Sequence, residues 1–250
     1  MEVHHHAHTS RKKWTHYFWE FLMLFLAVTL GFFVENQREH YVEHKRAKIY
    51  AVNFYNDLKK DTANLTWFIE WYRLTAKKMD TLSLFIKERN SRKFTSGLLY
   101  YYASYVTGVF YFSSHNATIE QLKGSGNLRL MEKEISYKIS EYDNKLHSLE
   151  KEYGLSKSEF SKIEDLHFKV FDMYTLQTFF PRMDKSRKDS VARLNTLYVT
   201  QDKGLLNEYA GWIKFEVNVY NFQLDYHLIP IRKMAEKLLD LLKENYSIEK

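Results

Sequence analysis

The chain contains no cysteine, which removes disulfides, thiolate nucleophiles and Cys-ligated zinc together. Only 2 Pro and 8 Gly occur in 250 residues, so few positions oblige the chain to break and long helices are expected. There is no Gly-rich phosphate loop, dinucleotide fingerprint or nucleophile elbow. No basic stripe with stacking aromatics is concentrated anywhere, which speaks against nucleic acid as a partner. None of these patterns asks for a cofactor. What the chain has in quantity is aromatic side chain, 17% of residues with 19 Tyr and 18 Phe. That content excludes a disordered polymer.

The formal charge is +6. Before Asn36 the basic residues Arg11, Lys12 and Lys13 cancel Glu2, Glu20 and Glu35, so the whole excess lies in residues 36–250. There it is interleaved with acids, the pattern of solvated helix faces, although anionic headgroups would feel it.

One apolar run stands out: "HYFWEFLMLFLAVTLGFFVE", His16 to Glu35. Tyr17 to Val34 make eighteen positions, or about 27 Å of helix at roughly 1.5 Å per residue. A hydrocarbon core is about 30 Å thick. Trp14, Tyr17 and Trp19 cluster at one end, where amphipathic rings favour the headgroup layer, with Arg11, Lys12 and Lys13 just outside. The segment 17–35 therefore reads as a transmembrane helix. A cleaved signal peptide fits poorly, because the run carries Glu20, ends in Phe32 and Phe33 and offers no small-residue exit.

Helical spacing places Glu20, Leu24, Ala27, Gly31 and Glu35 on one face. Ala27 and Gly31 form a small-xxx-small pair that lets a second helix approach closely. Near the headgroups Glu20 would snorkel or pair with Lys12 or Lys13; deeper, it would need a partner. The Arg-Lys-Lys cluster favours residues 1–16 inside the cytoplasm and 36–250 outside, although Arg38, Lys45, Arg46 and Lys48 make the count close.

Beyond Asn36 the pattern is helical. A long amphipathic stalk runs to about Glu88, with a break near "DTANL", and the chain turns in "RNSRKFTSG". "LLYYYASYVTGVFYF", Leu98 to Phe112, carries no charge and reads as a buried core helix; a short second span is the alternative. Ser114 or Asn116 caps "ATIEQL" and Gly124-Ser125-Gly126 ends it. Leu128 to Leu146 marks another helix, closed by Gly154. Ser156 or Ser158 opens the next, up to Phe180, and "RMDKSRKDS" is a polar connection. Leu205 to Tyr246 is a last helical stretch, kinked or split by Pro230. The fold class expected is all-α: one N-terminal transmembrane helix continuing into a long-helix antiparallel bundle.

Two motifs suggest chemistry. His4, His5, His6 and His8 resemble a metal-binding tract, with His4, His6 and His8 as candidate ligands; an unstructured tail presets no geometry, and a docking role or none at all are the alternatives. "HYVEH", His40 to His44, matches the H-x-x-E-H pattern of inverted zinc peptidases. That chemistry needs a third ligand, Glu120 or another carboxylate, and polar stalk surface is the plainer reading. No catalytic residues are assigned.

"MEVHHHAHTSRKKWTHYFWEFLMLFLAVTLGFFVEN" together with "ATIEQLKGSGNLRLMEKEISYKISEYD" resembles an uncharacterised Bacteroidota family of single-span membrane proteins with a His-rich N-terminus and a helical C-terminal domain. The resemblance implies that the histidines are native, and it implies no activity. The expected role is a non-enzymatic accessory or scaffolding subunit of a cell-envelope complex, single-pass in a bacterial inner membrane with the bulk periplasmic. Its partners would be the lipid bilayer and an integral-membrane protein or further copies of itself. The alternative is an extracytoplasmic ligand sensor, which with about sixteen residues on the other side would signal through a partner subunit.

Overall fold

The computed structural model describes residues 14–88, 95–107, 110–179 and 193–248. The His-rich tail, Arg11, Lys12, Lys13, most of the expected turn after the stalk and the connection 182–190 lie outside them. The chain divides into two units, Met1–Ile49 and Tyr50–Lys250.

Helix α1, Trp14–Lys87, runs for 74 residues. The sequence suggests a break near Asp61–Leu65, but the helix continues through it. The Thr62 and Thr66 hydroxyls bond back to the carbonyls of Leu58 and Thr62, so they do not compete for the helical amides. Leu58 and Leu65 are fully buried on either side.

In the second unit, α1 buries Ala51, Phe54, Leu58, Asp61, Leu65, Ile69, Tyr72, Ala76, Met79, Leu82 and Ile86. Steps of three and four keep that stripe on one face. Each large apolar side chain removed from water contributes about 1.5–3 kcal/mol.

The chain then returns along α1. Helix α2, Ser96–Ala103, is capped by the Thr95 side chain, and helix α3, Ala117–Gly124, follows. Going down this segment, Tyr102 meets Phe85, Tyr105 meets Trp71, and Phe112 meets Phe68. Next His115 meets Asp61, Thr118 meets Asp57, and Asn127 reaches Tyr50. The order along one partner reverses the order along the other, so the return is antiparallel. Leu98–Phe112 is thus not one core helix. It stops after Ala103, where the Ser104 amide and hydroxyl turn back onto Tyr100 and Tyr101 carbonyls, and Phe110 and Tyr111 are half exposed.

Gly126, at φ +67°, turns the chain into a short 3-10 segment, Asn127–Leu130. Helix α4, Lys133–Val170, starts at Glu132, whose carboxylate accepts from the Glu134 and Ile135 amides. It carries 38 residues without stopping at Gly154. Ser156 lies inside it rather than at a cap, its hydroxyl bonded to the Glu152 carbonyl. The helix ends at Val170, and α5, Met173–Phe179, is separate.

A single antiparallel bridge joins Phe171 and Val199; no strand forms among the described residues. Helix α6, Lys203–Gln223, begins at Asp202, which accepts from the Gly204 and Leu205 amides. A π segment, Leu224–Leu228, leads into α7, Ile229–Tyr246. Pro230 supplies no amide and would clash with the carbonyl one turn before it; the π segment is how the chain absorbs this without splitting.

His167 of α4 meets Tyr209 of α6, and Glu132 meets Tyr246 of α7, so the last helices run antiparallel to α4. The second unit is an all-α bundle of alternating direction: α1, the α2–α3 return, α4, and α6 with α7.

Candidate functional site

Three features have the residue chemistry of a site. The first is the exposed N-terminal part of α1. Its most apolar window has a mean hydropathy of 1.9 with none of it buried, and it is long and apolar enough to cross a membrane. Trp14, Tyr17, Trp19, Phe21, Leu24, Leu30, Phe32 and Phe33 are all exposed, far more contiguous apolar surface than a soluble helix shows. Glu20, Leu24, Ala27 and Gly31 are exposed too. A side chain at Gly31 would meet nothing within 4 Å, so the small-residue face is open. Among the described residues, His16, one turn earlier, lies 3.0 Å from Glu20; Lys12 and Lys13, which the sequence offers to Glu20, lie outside them.

The second feature is a polar seam between α1, α3 and α4. Asp61 is almost fully buried and both its oxygens are used. One accepts the His115 backbone N–H at 2.8 Å and lies 2.8 Å from its ring Nδ1. The other accepts the Tyr142 hydroxyl at 2.9 Å. Burial, then the Asp61 charge, push the Tyr142 phenol far up. A turn away, Glu120, Asp143 and His147 bring ligand atoms within 4.8 Å of one another. Lys123 already occupies that cluster, its Nζ 2.8 Å from Asp143 and 3.5 Å from Glu120, and the His147 Nδ1 lies 2.9 Å from the Asp143 carbonyl. The arrangement is a satisfied ion-pair group. His40 and His44 lie one turn apart on α1 and are exposed, but they belong to no such donor group among the described residues.

The third feature is Glu216 on α6. It is 4% exposed, and its Oε2 is buried without a hydrogen-bond partner. Burial first, and the charge of Glu159 second, push its carboxyl up to about 7. Its charge is felt by the Tyr220 and Tyr111 phenols. Tyr220 stands one turn on, its ring 4.6 Å from that of Tyr72. The Tyr72 hydroxyl donates to the Phe110 carbonyl at 3.2 Å and lies 3.5 Å from the Tyr153 hydroxyl. The Phe112 amide donates to Tyr153 at 3.4 Å, and Tyr111 packs on the Tyr153 ring. Burial drives Tyr153 up to about 12 and Tyr72 and Tyr220 beyond. A carboxylic acid poised near neutrality can take up or release a proton inside the bundle.

Sequence reasoning singled out the first feature and missed the third. The signal for Glu216 was present: it falls in the apolar register of Ile213, Val217 and Tyr220, where an acid is out of place. The candidate ligands His4, His6 and His8 and the anchors Arg11, Lys12 and Lys13 lie outside the described residues. Comparisons of this chain with protein-family models, with curated proteins and with solved structures find no match.

Proposed function

We propose that this protein is a non-enzymatic, membrane-anchored accessory or scaffolding subunit of an envelope complex. The observation that carries the reading is the exposed apolar length of α1, none of whose most apolar window is buried. In water, such a surface is among the most unfavourable a folded chain can present; in a bilayer it is solvated. The Trp14, Tyr17 and Trp19 rings then sit at headgroup depth, and the face carrying Glu20, Leu24, Ala27 and Gly31 admits a partner helix. The inner membrane, an internal N-terminus and a periplasmic bundle belong to this proposal, resting on the Arg11–Lys13 cluster.

The test is purification of the full chain in a mild detergent or nanodisc, with mass spectrometry of what co-elutes. A stoichiometric membrane protein, lost on Gly31→Leu or Glu20→Leu, supports the subunit reading. A lone monomer under all conditions contradicts it. The second reading, a sensor signalling through a partner, draws on Glu216, whose buried Oε2 without a hydrogen-bond partner suits a group that responds to its surroundings.

A further inference from the structure

A groove of about 420 Å³ lies along α4 and α6, lined by Glu159, Asn207, Glu208, Gly211, Trp212 and Phe215. Gly211 leaves its floor open, since a side chain there would meet nothing within 4 Å. Trp212 and Phe215 stand nearly perpendicular, centroids 5.7 Å apart at 78°, so two aromatic surfaces meet at an angle. Glu159 and Glu208 make neither an ion pair nor a hydrogen bond among the described residues. The groove thus joins two aromatic walls with two carboxylates, Glu159 and Glu208, that form no ion pair among the described residues.

The chain itself shows what such walls attract. Lys162, from α4, holds its ammonium 5.2 Å from the centre of the Trp212 ring. It takes that position without bonding to either groove carboxylate. The negative face of an indole attracts a cation, and most strongly a poorly hydrated organic one.

We propose that this groove binds a small alkylammonium cation, with Trp212 and Phe215 against its alkyl groups and Glu159 and Glu208 supplying the counter-charge. Lys162 is the internal competitor, displaced when the ligand enters. This site is independent of the anchoring reading, because every residue in it belongs to the bundle.

The experiment is fluorine NMR of the full chain, labelled with fluorotryptophan, in a maltoside detergent that carries no ammonium group. The Trp212 resonance is assigned by its loss in Trp212→Phe. Choline is titrated against its neutral isostere, in which a quaternary carbon replaces the nitrogen. The expected result is a saturable shift of the Trp212 resonance with choline and none with the isostere. Glu159→Gln with Glu208→Gln should weaken binding about tenfold, and Lys162→Met should tighten it. The other tryptophan resonances report whether each variant is folded. Equal shifts with choline and isostere would overturn the proposal, as would a Trp212 resonance that choline leaves unmoved in both the wild-type chain and Lys162→Met.

Discussion

Tyr142 of α4 donates its hydroxyl to Asp61 of α1 at 2.9 Å, and Asp61 is the one charged residue in the buried stripe of α1 from Ala51 to Ile86. The pair locks the register of two long helices where hydrophobic packing alone would tolerate a slip of one turn. It also fixes the return segment, since the second Asp61 oxygen accepts the His115 amide.

Removing the Tyr142 hydroxyl leaves a buried carboxylate oxygen short of a donor. Tyr142→Phe should cost about 1–3 kcal/mol, read as a lower urea midpoint by circular dichroism. Asp61→Ala should cost more, because it strands both the Tyr142 hydroxyl and the His115 amide. An unchanged midpoint in both variants would show that the seam is solvated.

Glu216 gives the bundle a pH dependence of defined sign. Its carboxyl holds a proton up to about 7 in the fold, against 4.5 ordinarily. The folded state therefore binds more protons between those values. Its contribution is fully present below pH 4.5 and is lost as pH rises through 7, a fall of about 3 kcal/mol. Glu216→Gln keeps the shape and cannot ionise. The stability difference between variant and wild type should thus grow by that amount from pH 4 to pH 8, favouring Gln at the higher pH. The difference, measured by urea titration, cancels other titrations; a flat difference would place Glu216 in contact with water.

Much of the fold was legible in the sequence, because its helices are long and their buried stripes regular. Ala51 to Ile86 repeats in threes and fours, and an N-terminal apolar helix with Glu20, Ala27 and Gly31 on one face needed only helical geometry to find. Three misread breaks have a shared cause. Gly154, Ser156 and the Asp61–Leu65 stretch were read as punctuation from local propensity, but Leu149 and Ile163, and Leu58 and Ile69, bury on either side. Burial of that size outweighs a local penalty of about 1 kcal/mol. Glu216 was overlooked for the opposite reason: a charged letter reads as surface unless its register is checked.

Two glycines make that contrast measurable. Gly154 sits mid-helix with open space around it, so Gly154→Ala should stabilise the bundle by about 0.5–1 kcal/mol. Gly126 adopts φ +67°, where a side chain is strained, so Gly126→Ala should destabilise it by about 1 kcal/mol. Thermal melts of the two variants should move in opposite directions. Shifts of the same sign would contradict the assignment of Gly154 to a continuous helix and Gly126 to a left-handed turn.

The anchoring of α1 is the central claim, and the absence of cysteine makes it directly testable. Single cysteines at Thr9, Leu26 and Ser247 would each be the only thiol in the chain. Labelling of spheroplasts with a membrane-impermeant maleimide should mark Ser247→Cys at once, Thr9→Cys only after permeabilisation, and Leu26→Cys in neither condition. Labelling of Leu26→Cys as readily as Ser247→Cys would put the apolar stretch of α1 in water and contradict the account.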